Sequence, residues 1–224
     1  QINLVMKHHN LTNDEIKTLV DTRIDSLDAE QMLYAATLYE DMAKKESIYK
    51  SFVSKFPNDW RGPNNLGYLY VSQNKLADAK TEFEKANAIE STPVVNNNLG
   101  VIARLNGDNA TAKEYYGKAS GAGKEVAENK GIINIIEGDY AAAVANYSGI
   151  NSFNAALAKL LNGDNNIGQT IDNSADKDDA LAYYLKAIAG ARSGDKGMMV
   201  NNLKSATAKD ASLKAKAKDD AEFI

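Results

Sequence analysis

A short motif recurs along this chain at an almost constant interval. Asn65-Leu66-Gly67 is followed by Asn98-Leu99-Gly100, and weaker copies stand at Asn129-Lys130-Gly131 and Asn154-Ala155-Ala156. The glycines of the first three copies lie 33 and 31 residues apart. Periods of roughly 30 to 35 residues are typical of stacked helical hairpins, so the sequence predicts a helical array in which each unit packs on its neighbours.

A second pattern follows the first in each unit. A small residue is followed four positions later by an aromatic residue, and three positions after that by another small or apolar residue. The three sets are Ala79, Phe83 and Ala86; Ala112, Tyr116 and Ala119; and Ala143, Tyr147 and Ile150. These spacings place the side chains on one face of a helix. We therefore expect a hairpin whose second helix buries an aromatic ring among small neighbours.

Turn signals separate the two helices of each expected hairpin. Gly-Asp pairs stand at Gly107-Asp108, Gly138-Asp139, Gly163-Asp164 and Gly194-Asp195, and Asn74-Lys75 stands at the corresponding place in the first unit. Glycine and asparagine accept the left-handed conformation that closes a helix, and aspartate caps the helix that follows.

These residues resemble the tetratricopeptide repeat, a family of helix-turn-helix units of about 34 residues. The matching residues from 60 to 92 are Leu66, Gly67, Tyr70, Ala79, Phe83 and Ala86, and those from 93 to 123 are Leu99, Gly100, Ala112, Tyr116 and Ala119. The resemblance implies an all-α fold, a right-handed superhelical solenoid of helical hairpins. It also implies a role in binding proteins or peptides.

We expect a single solenoid domain over residues 1–224. Its parts are an N-terminal cap at 1–27, a divergent repeat at 28–59, full repeats at 60–92 and 93–123, degenerate repeats at 124–176, and a divergent repeat with a C-terminal cap helix at 177–224. Gly138 and Gly163 are only 25 residues apart, which predicts a shortened hairpin. The final helix is predicted to run from Ala206 to Ile224.

Composition narrows the classes of partner. A formal charge of -4 and a pI near 5.3 disfavour nucleic acid, which requires a clustered surplus of lysine and arginine. No apolar run approaches the roughly 20 residues that cross a bilayer, so we expect no membrane insertion. The absence of cysteine excludes disulfides and thiolate sites but leaves the compartment open. Because the chain begins at Gln1, we expect a processed or excised product.

Few residues are candidates for catalysis or metal binding. His8 and His9 are adjacent, so on a helix they point in different directions, whereas a zinc site needs three or four converging ligands. The acidic runs at 176–179 and 219–220 do not fit a calcium loop and are interpreted as helix caps and solvated surface. Gly121-Ala122-Gly123-Lys124 lacks the hydroxyl residue that follows lysine in a phosphate loop. We therefore predict no catalytic residue, no metal and no cofactor, and thus no enzyme.

The asparagines of the repeated motif are the candidate binding residues. In the tetratricopeptide family the residue two before the unit's glycine faces the concave groove, and that position holds Asn65, Asn98, Asn129 and Asn154. A carboxamide both donates and accepts hydrogen bonds, so a ladder of them matches the backbone of an extended peptide. The alternative is that each asparagine bonds within its own hairpin or to a neighbouring turn.

Residues about one turn away complete the expected groove. Its polar and aromatic members are Arg61, Tyr68 and Arg104. Its apolar middle is formed by Val101, Ile132, Ile135 and Leu157. An apolar centre with a few converging polar groups suits a peptide with hydrophobic side chains.

Two other functions stay open. The isoleucines at 132, 133, 135 and 136 cannot all face one core, which favours a structural self-assembly module or spacer, and hence a homo-oligomer. The other function is that of an accessory domain that delivers substrate to an enzyme elsewhere in a longer polypeptide.

A second resemblance covers short runs along most of the chain. The runs are 33–38, 58–62, 95–101 and 183–187. They are similar to repeat regions joined to OmpA-like domains in envelope proteins of Gram-negative bacteria. This resemblance implies the periplasm or cell envelope as the location, with the cytoplasm as the alternative.

Overall fold

A computed structural model describes residues 11–223 of the chain. Within this range every regular element is helical, with fourteen α-helices and two short 3-10 helices, so the all-α prediction is confirmed. His8 and His9, for which we predict no metal, lie outside the described residues. None of the described helices combines the length and the hydropathy that are needed to cross a membrane.

The chain divides into two compact units, residues 1–122 and 123–224. The prediction of one solenoid domain over the whole chain stays a prediction. The helices of the first unit are α1 Asn13–Thr22, α2 Ala29–Thr37, α3 Met42–Lys55, α4 Arg61–Ser72, α5 Leu76–Ile89, α6 Pro93–Leu105 and α7 Asn109–Lys118. From α2 to α7 each helix packs against the next one along the chain, as the helices of a repeat array do.

The second unit contains seven described α-helices. They are α8 Lys124–Glu137, α9 Tyr140–Asn146, α10 Phe153–Leu161, α11 Gly168–Asp172, α12 Ala180–Arg192, α13 Lys196–Lys209 and α14 Leu213–Asp219. Helix α9 has 7 residues and α11 has 5, which agrees with the shortened hairpin that the glycine spacing predicts. The α12–α13 pair has full length again.

The turns between paired helices use left-handed backbone where the sequence predicts it. The four glycines of the Gly-Asp pairs have φ between +73° and +88°, and Asn74 has φ +57°. The carboxylates of Asp108, Asp139 and Asp195 then accept hydrogen bonds from the third backbone N–H of the next helix. These three pairs therefore end one helix and begin the next. The predicted cap is wrong at Asp164, whose carboxylate accepts from the backbone N–H of Asn166, while α11 begins only at Gly168.

Helix starts elsewhere are capped as well. Thr12 and Glu15 form a reciprocal capping box at the start of α1. Thr92 accepts from the backbone N–H of Val95, and Pro93 occupies the first helical position of α6, where its missing N–H costs nothing.

The repeated glycines and aromatic rings pack against each other. A Cβ placed on Gly100 would lie 2.5 Å from the Tyr116 ring, and one on Gly67 would lie 2.7 Å from the Phe83 ring. Both rings are fully buried, as are the alanines at 79, 86, 112 and 119. The missing side chain of each glycine makes room for the ring beside the first helix of its own hairpin, so the predicted small-aromatic-small pattern is confirmed at residues 79–86 and 112–119. In the third set Ile150 lies beyond the end of α9, so its predicted place on a helix face is wrong, although it packs against the cluster of Ala143 and Tyr147.

The predicted helix from Ala206 to Ile224 is wrong in extent. Helix α13 ends at Lys209, and α14 begins at Leu213. Between them Asp210 adopts extended backbone, and its carboxylate accepts hydrogen bonds from the backbone N–H and hydroxyl of Ser212. Aspartate and serine compete with helical hydrogen bonding in this way, which explains the break.

Candidate functional site

Helices α4 and α6 each present a row of side chains at helical spacing. Arg61, Asn65 and Tyr68 follow one another on α4, and Asn98 and Val101 do so on α6. Positions three or four apart on a helix share a face, so each row lies on one side of its helix. Asn65 and Asn98 are both half-buried, at equivalent positions of consecutive hairpins. These two rows form the candidate site, which we call the α4–α6 face.

The asparagines of this face are connected by hydrogen bonds. The Nδ2 of Asn98 donates to Oδ1 of Asn64 at 2.8 Å, and Nδ2 of Asn64 donates to Oδ1 of Asn65 at 3.3 Å. Asn64 is buried, so its carboxamide requires such partners. The chain of three carboxamides joins α4 to α6 across two consecutive hairpins.

The run Asn96-Asn97-Asn98 is unusual inside a helix because asparagine is a poor helix former. Asn96 is buried and has a structural role, since its Nδ2 donates to Oγ of Ser91 at 3.0 Å and to the carbonyl of Thr92 at 2.9 Å. Asn96 thus ties α6 to the segment before it, while Asn98 reaches α4. The structure therefore assigns different hydrogen bonds to two of the three asparagines.

Arg61 lies at the start of α4 in a network with two carboxylates. Its guanidinium donates to Oδ2 of Asp59 at 2.6 Å and to Oε1 of Glu30 on α2 at 2.5 Å. The hydrogen bonds from Arg61 hold the pKa of Asp59 below its usual value, against the opposing effect of burial. These bonds join the second hairpin to α2, so the charge of Arg61 is largely neutralised by the protein itself.

Apolar side chains on the same two helices are open to solvent. The ring of Tyr68 is 68% exposed, and on α6 Leu105 is 45% exposed. Val94, one turn before Asn98, is exposed as well. The linked carboxamides are therefore accompanied by exposed apolar surface.

Arg104, also predicted to line the groove, is half-buried on α6. Its Nε is buried and has no hydrogen-bond partner among the described residues. Burial raises the pKa of Tyr116, and the neighbouring Arg104 opposes this effect. Arg104 is thus directed toward the buried ring of its own hairpin.

The second unit holds the other two predicted asparagines. Asn129 on α8 and Asn154 on α10 are half-buried, like their counterparts in the first unit. A carboxamide link that the sequence does not predict joins α8 to α9, where Nδ2 of Asn146 donates to Oδ1 of Asn134 at 2.8 Å. Among the isoleucines of α8, Ile133 is buried and Ile136 is 57% exposed.

The acidic runs have structural partners. Oδ2 of Asp176 accepts from the backbone N–H of Phe153 at 2.9 Å, and Oδ2 of Asp220 accepts from the hydroxyl of Tyr184 at 2.7 Å. Gly121 and Gly123 have φ of +96° and +107° and form a sharp turn. In the described part of the chain no three histidine, cysteine, aspartate or glutamate side chains converge as metal ligands.

Two consecutive stretches, residues 64–92 and 94–122, match the family model of the tetratricopeptide repeat. These two stretches are tetratricopeptide repeats. They include α4 to α7 almost completely, and with them Asn65, Asn98 and Tyr68. Tetratricopeptide repeats support a role as a protein-interaction adaptor or scaffold.

Solved structures share the tetratricopeptide fold. A chain of the APC/C hetero-tetramer Cut9-Hcn1 aligns with 93% of this chain at a TM-score of 0.75 and 12% identity. The alignment covers 43% of that chain, so this protein spans less than half of its length. A tetratricopeptide repeat protein from Parabacteroides merdae aligns at a TM-score of 0.59 and 16% identity, covering 81% of this chain and 79% of its own.

PilF of Pseudomonas aeruginosa aligns at a TM-score of 0.55 and 17% identity, covering 94% of this chain and 87% of its own. Because the identities are only 12% to 17%, these similarities establish the fold alone. Among curated proteins, none matches the sequence.

Proposed function

We propose that this protein is a non-catalytic adaptor or scaffold that binds an extended peptide of a partner protein on the α4–α6 face. The observation that carries the proposal is the chain of carboxamides from Asn98 through Asn64 to Asn65, with the exposed ring of Tyr68 beside it. Within this face, polar groups are held in place by the fold while apolar surface is left open.

The free ends of the carboxamide chain match a peptide backbone. Within the described residues, the Nδ2 donors of Asn65 and the Oδ1 acceptor of Asn98 have no hydrogen-bond partner. An extended backbone offers alternating C=O and N–H groups, so it can accept at one end and donate at the other. Because the carboxamides are already fixed by their mutual bonds, little side-chain entropy is lost when the peptide binds.

Tyr68 would supply most of the apolar contact. Tyrosine is enriched at binding hot spots because its large rigid ring carries a polar end. The side chain lies on the solvent side of α4, so its removal leaves the core of the hairpin unchanged. Tyr68→Ala is therefore the cleanest change with which to test binding.

The experiment compares three baits, the wild-type chain, Tyr68→Ala and Ile89→Ala, in pull-downs from envelope and cytosolic extracts in parallel. Ile89 is an exposed apolar residue at the end of α5, outside the α4–α6 face, and serves as the matched control. A protein retained by the wild-type and Ile89→Ala baits, and lost with Tyr68→Ala, supports the proposal and identifies the compartment. Equal retention by Tyr68→Ala, or no retained protein, contradicts it.

The alternative is a self-assembly module or spacer of a larger envelope protein. The exposed side chain of Ile136 on α8, together with the half-buried Ile132 and Ile135 of the same helix, favours it, since contiguous apolar surface marks protein interfaces. Light scattering over a range of concentrations tests this alternative. A dimer that Ile136→Ser converts to a monomer supports self-assembly, and a monomer at every concentration rules it out.

A further inference from the structure

Among the described helices of 14 residues, α13 buries the fewest side chains. Of the 14 residues of α13 only Ala206 is buried, whereas α5, of the same length, buries four residues. In a repeat array the second helix of each hairpin is covered by the hairpin that follows. Here the following helix, α14, has 7 residues and covers only part of α13.

A groove of about 680 Å³ lies between α13 and the segment that follows it, which contains α14 and Phe223. Its lining residues are Met199, Val200, Leu203, Lys204, Thr207, Ala208, Ala211, Lys214, Ala217, Lys218 and Phe223. Those on α13 recur at intervals of three and four, so they form one continuous stripe. The stripe on α13 runs from Met199 to Ala208 and is about 14 Å long, the length of a helix of two to three turns.

The end of the groove is fixed by the C-terminal segment. The rings of Phe223 and Tyr184 are edge to face with centroids 5.5 Å apart, and the hydroxyl of Tyr184 donates to Asp220. Arg192 on α12 pairs with Glu222. These contacts hold Phe223 against α12, so the groove is preformed before a partner binds.

The charge of the groove is opposite to that of the chain. Lys204, Lys214 and Lys218 are exposed lining residues, and no carboxylate of residues 11–223 lines the groove. The chain as a whole carries -4. Within the described residues none of the three lysines has an ion-pair partner. Three acids nearby are engaged elsewhere, because Asp210 bonds to Ser212, Asp220 to Tyr184 and Glu222 to Arg192. Asp219 follows Lys218 in the chain but does not line the groove.

We infer that this groove binds an amphipathic helix of a partner protein that carries acidic residues beside its apolar face. Within a repeat array the apolar face of one helix packs against the helix before it, and a partner helix would pack on α13 in the same way. The apolar floor buries the hydrophobic side chains of such a helix, and the three lysines pair with its carboxylates. The inference does not depend on the peptide site of the α4–α6 face.

The test uses two synthetic helical peptides of about three turns with leucines three and four residues apart. One carries glutamates beside the leucines, and the other carries lysines at the same positions. Fluorescence anisotropy with the full chain is expected to show about tenfold tighter binding of the glutamate peptide, because three exposed ion pairs add modestly to the apolar contact. Equal affinity for both peptides, or no binding, overturns the inference.

Two variants locate the binding. Val200→Glu places a charge on the floor and is expected to abolish binding, with an unchanged circular dichroism spectrum because Val200 is only half-buried. Lys204→Glu is expected to lower the affinity for the glutamate peptide. Lys196→Glu makes the same charge change on α13 outside the groove, and it is expected to leave this affinity unchanged. Unchanged binding by Val200→Glu overturns the inference.

Other occupants give distinct results. If the chain binds anionic vesicles but neither peptide, the lysines are assigned to a lipid surface and the inference is overturned. A dimer that Val200→Glu dissociates would assign the groove to a second copy and overturn it as well. We expect Tyr68→Ala to bind the glutamate peptide in the α13 groove as tightly as the wild type does. The test of this groove and the test of the α4–α6 face therefore succeed or fail separately.

Discussion

At the scale of single residues, glycine has two separate tasks in this chain. At Gly67 and Gly100 it removes a side chain so that a buried ring can approach the helix, and at Gly107 it supplies left-handed backbone at a turn. Substitution by alanine tests the two tasks independently, because an added Cβ meets a neighbouring ring at Gly67 and Gly100 but not at Gly107.

Gly100→Ala is expected to destabilise the protein. The new Cβ would lie 2.5 Å from the ring of Tyr116, which is fully buried and cannot move aside. Overpacking of this kind costs about 1–3 kcal/mol. Urea denaturation measures the change, and Gly117→Ala on α7 is the matched control. Gly117 is exposed with no atom within 4 Å of an added Cβ, so alanine there raises stability by about 0.5–1 kcal/mol.

Gly107→Ala is expected to destabilise the protein for a different reason. Gly107 has φ +82° and no atom within 4 Å of an added Cβ, so the cost lies entirely in the backbone, about 1–2 kcal/mol. Gly107→Asn should cost less, because Asn74 already adopts left-handed backbone in the preceding turn. Equal losses for alanine and asparagine in urea denaturation would contradict this explanation.

At the scale of helices, side chains rather than backbone connect consecutive hairpins. Asn98 bonds from α6 to Asn64 on α4, and Arg61 bonds from α4 to Glu30 on α2. Both residues are also candidates for peptide binding, so their structural contribution must be measured in the absence of a ligand.

Asn98→Ala is expected to lower the free energy of unfolding by about 1–3 kcal/mol, because the buried Oδ1 of Asn64 loses its donor. The control is Asn106→Ala at the end of α6, which is exposed and should change stability by less than about 0.5 kcal/mol. If the two variants unfold at the same urea concentration, the bond between α4 and α6 contributes nothing.

The Asp59–Arg61 pair predicts a dependence on pH. Hydrogen bonds from Arg61 lower the pKa of Asp59 in the folded state. The stabilising contribution is therefore fully present above the usual aspartate pKa of about 4, and it is lost as the pH falls through the lower folded-state pKa. The difference in unfolding free energy between wild type and Asp59→Asn should shrink between pH 7 and strongly acidic solution. A constant difference would contradict the prediction.

At the scale of the whole molecule, each compact unit has its own buried clusters. In residues 1–122 one cluster includes Phe52 and Met32, and another includes Phe83 and Leu99. Because each repeat gains most of its stability from its nearest neighbours, we expect a fragment of residues 1–122 to fold by itself. Far-ultraviolet circular dichroism with a cooperative urea transition would confirm this, and a non-cooperative fragment would contradict it.

The sequence predicts those parts of the fold that depend on local chemistry. Left-handed turns, aspartate caps and the pairing of glycine with a buried ring all follow from residues close together in the chain. The bonds from Asn98 to Asn64 and from Arg61 to Glu30 join residues 34 and 31 positions apart, and they depend on the relative rotation of packed helices. No periodicity in one sequence specifies that rotation.

Two further features of the second unit are not predicted from the sequence, for two different reasons. Gly190 is not part of the repeated motif, yet a Cβ there would lie 2.6 Å from the backbone nitrogen of Met199, so it allows α12 and α13 to approach closely. The break after Lys209 had a signal in the sequence, the Asp210 and Ser212 pair, which the surrounding helix-forming lysines and alanines outweighed.

The most direct measurement is photo-crosslinking from position 68. A photoreactive phenylalanine analogue in place of Tyr68 keeps the exposed ring on the α4–α6 face, and the same analogue in place of Ile89 reports on α5. A protein-binding α4–α6 face predicts that one partner is crosslinked through position 68 and not through position 89. Crosslinks of equal yield from both positions, or from position 89 alone, would contradict peptide binding on this face.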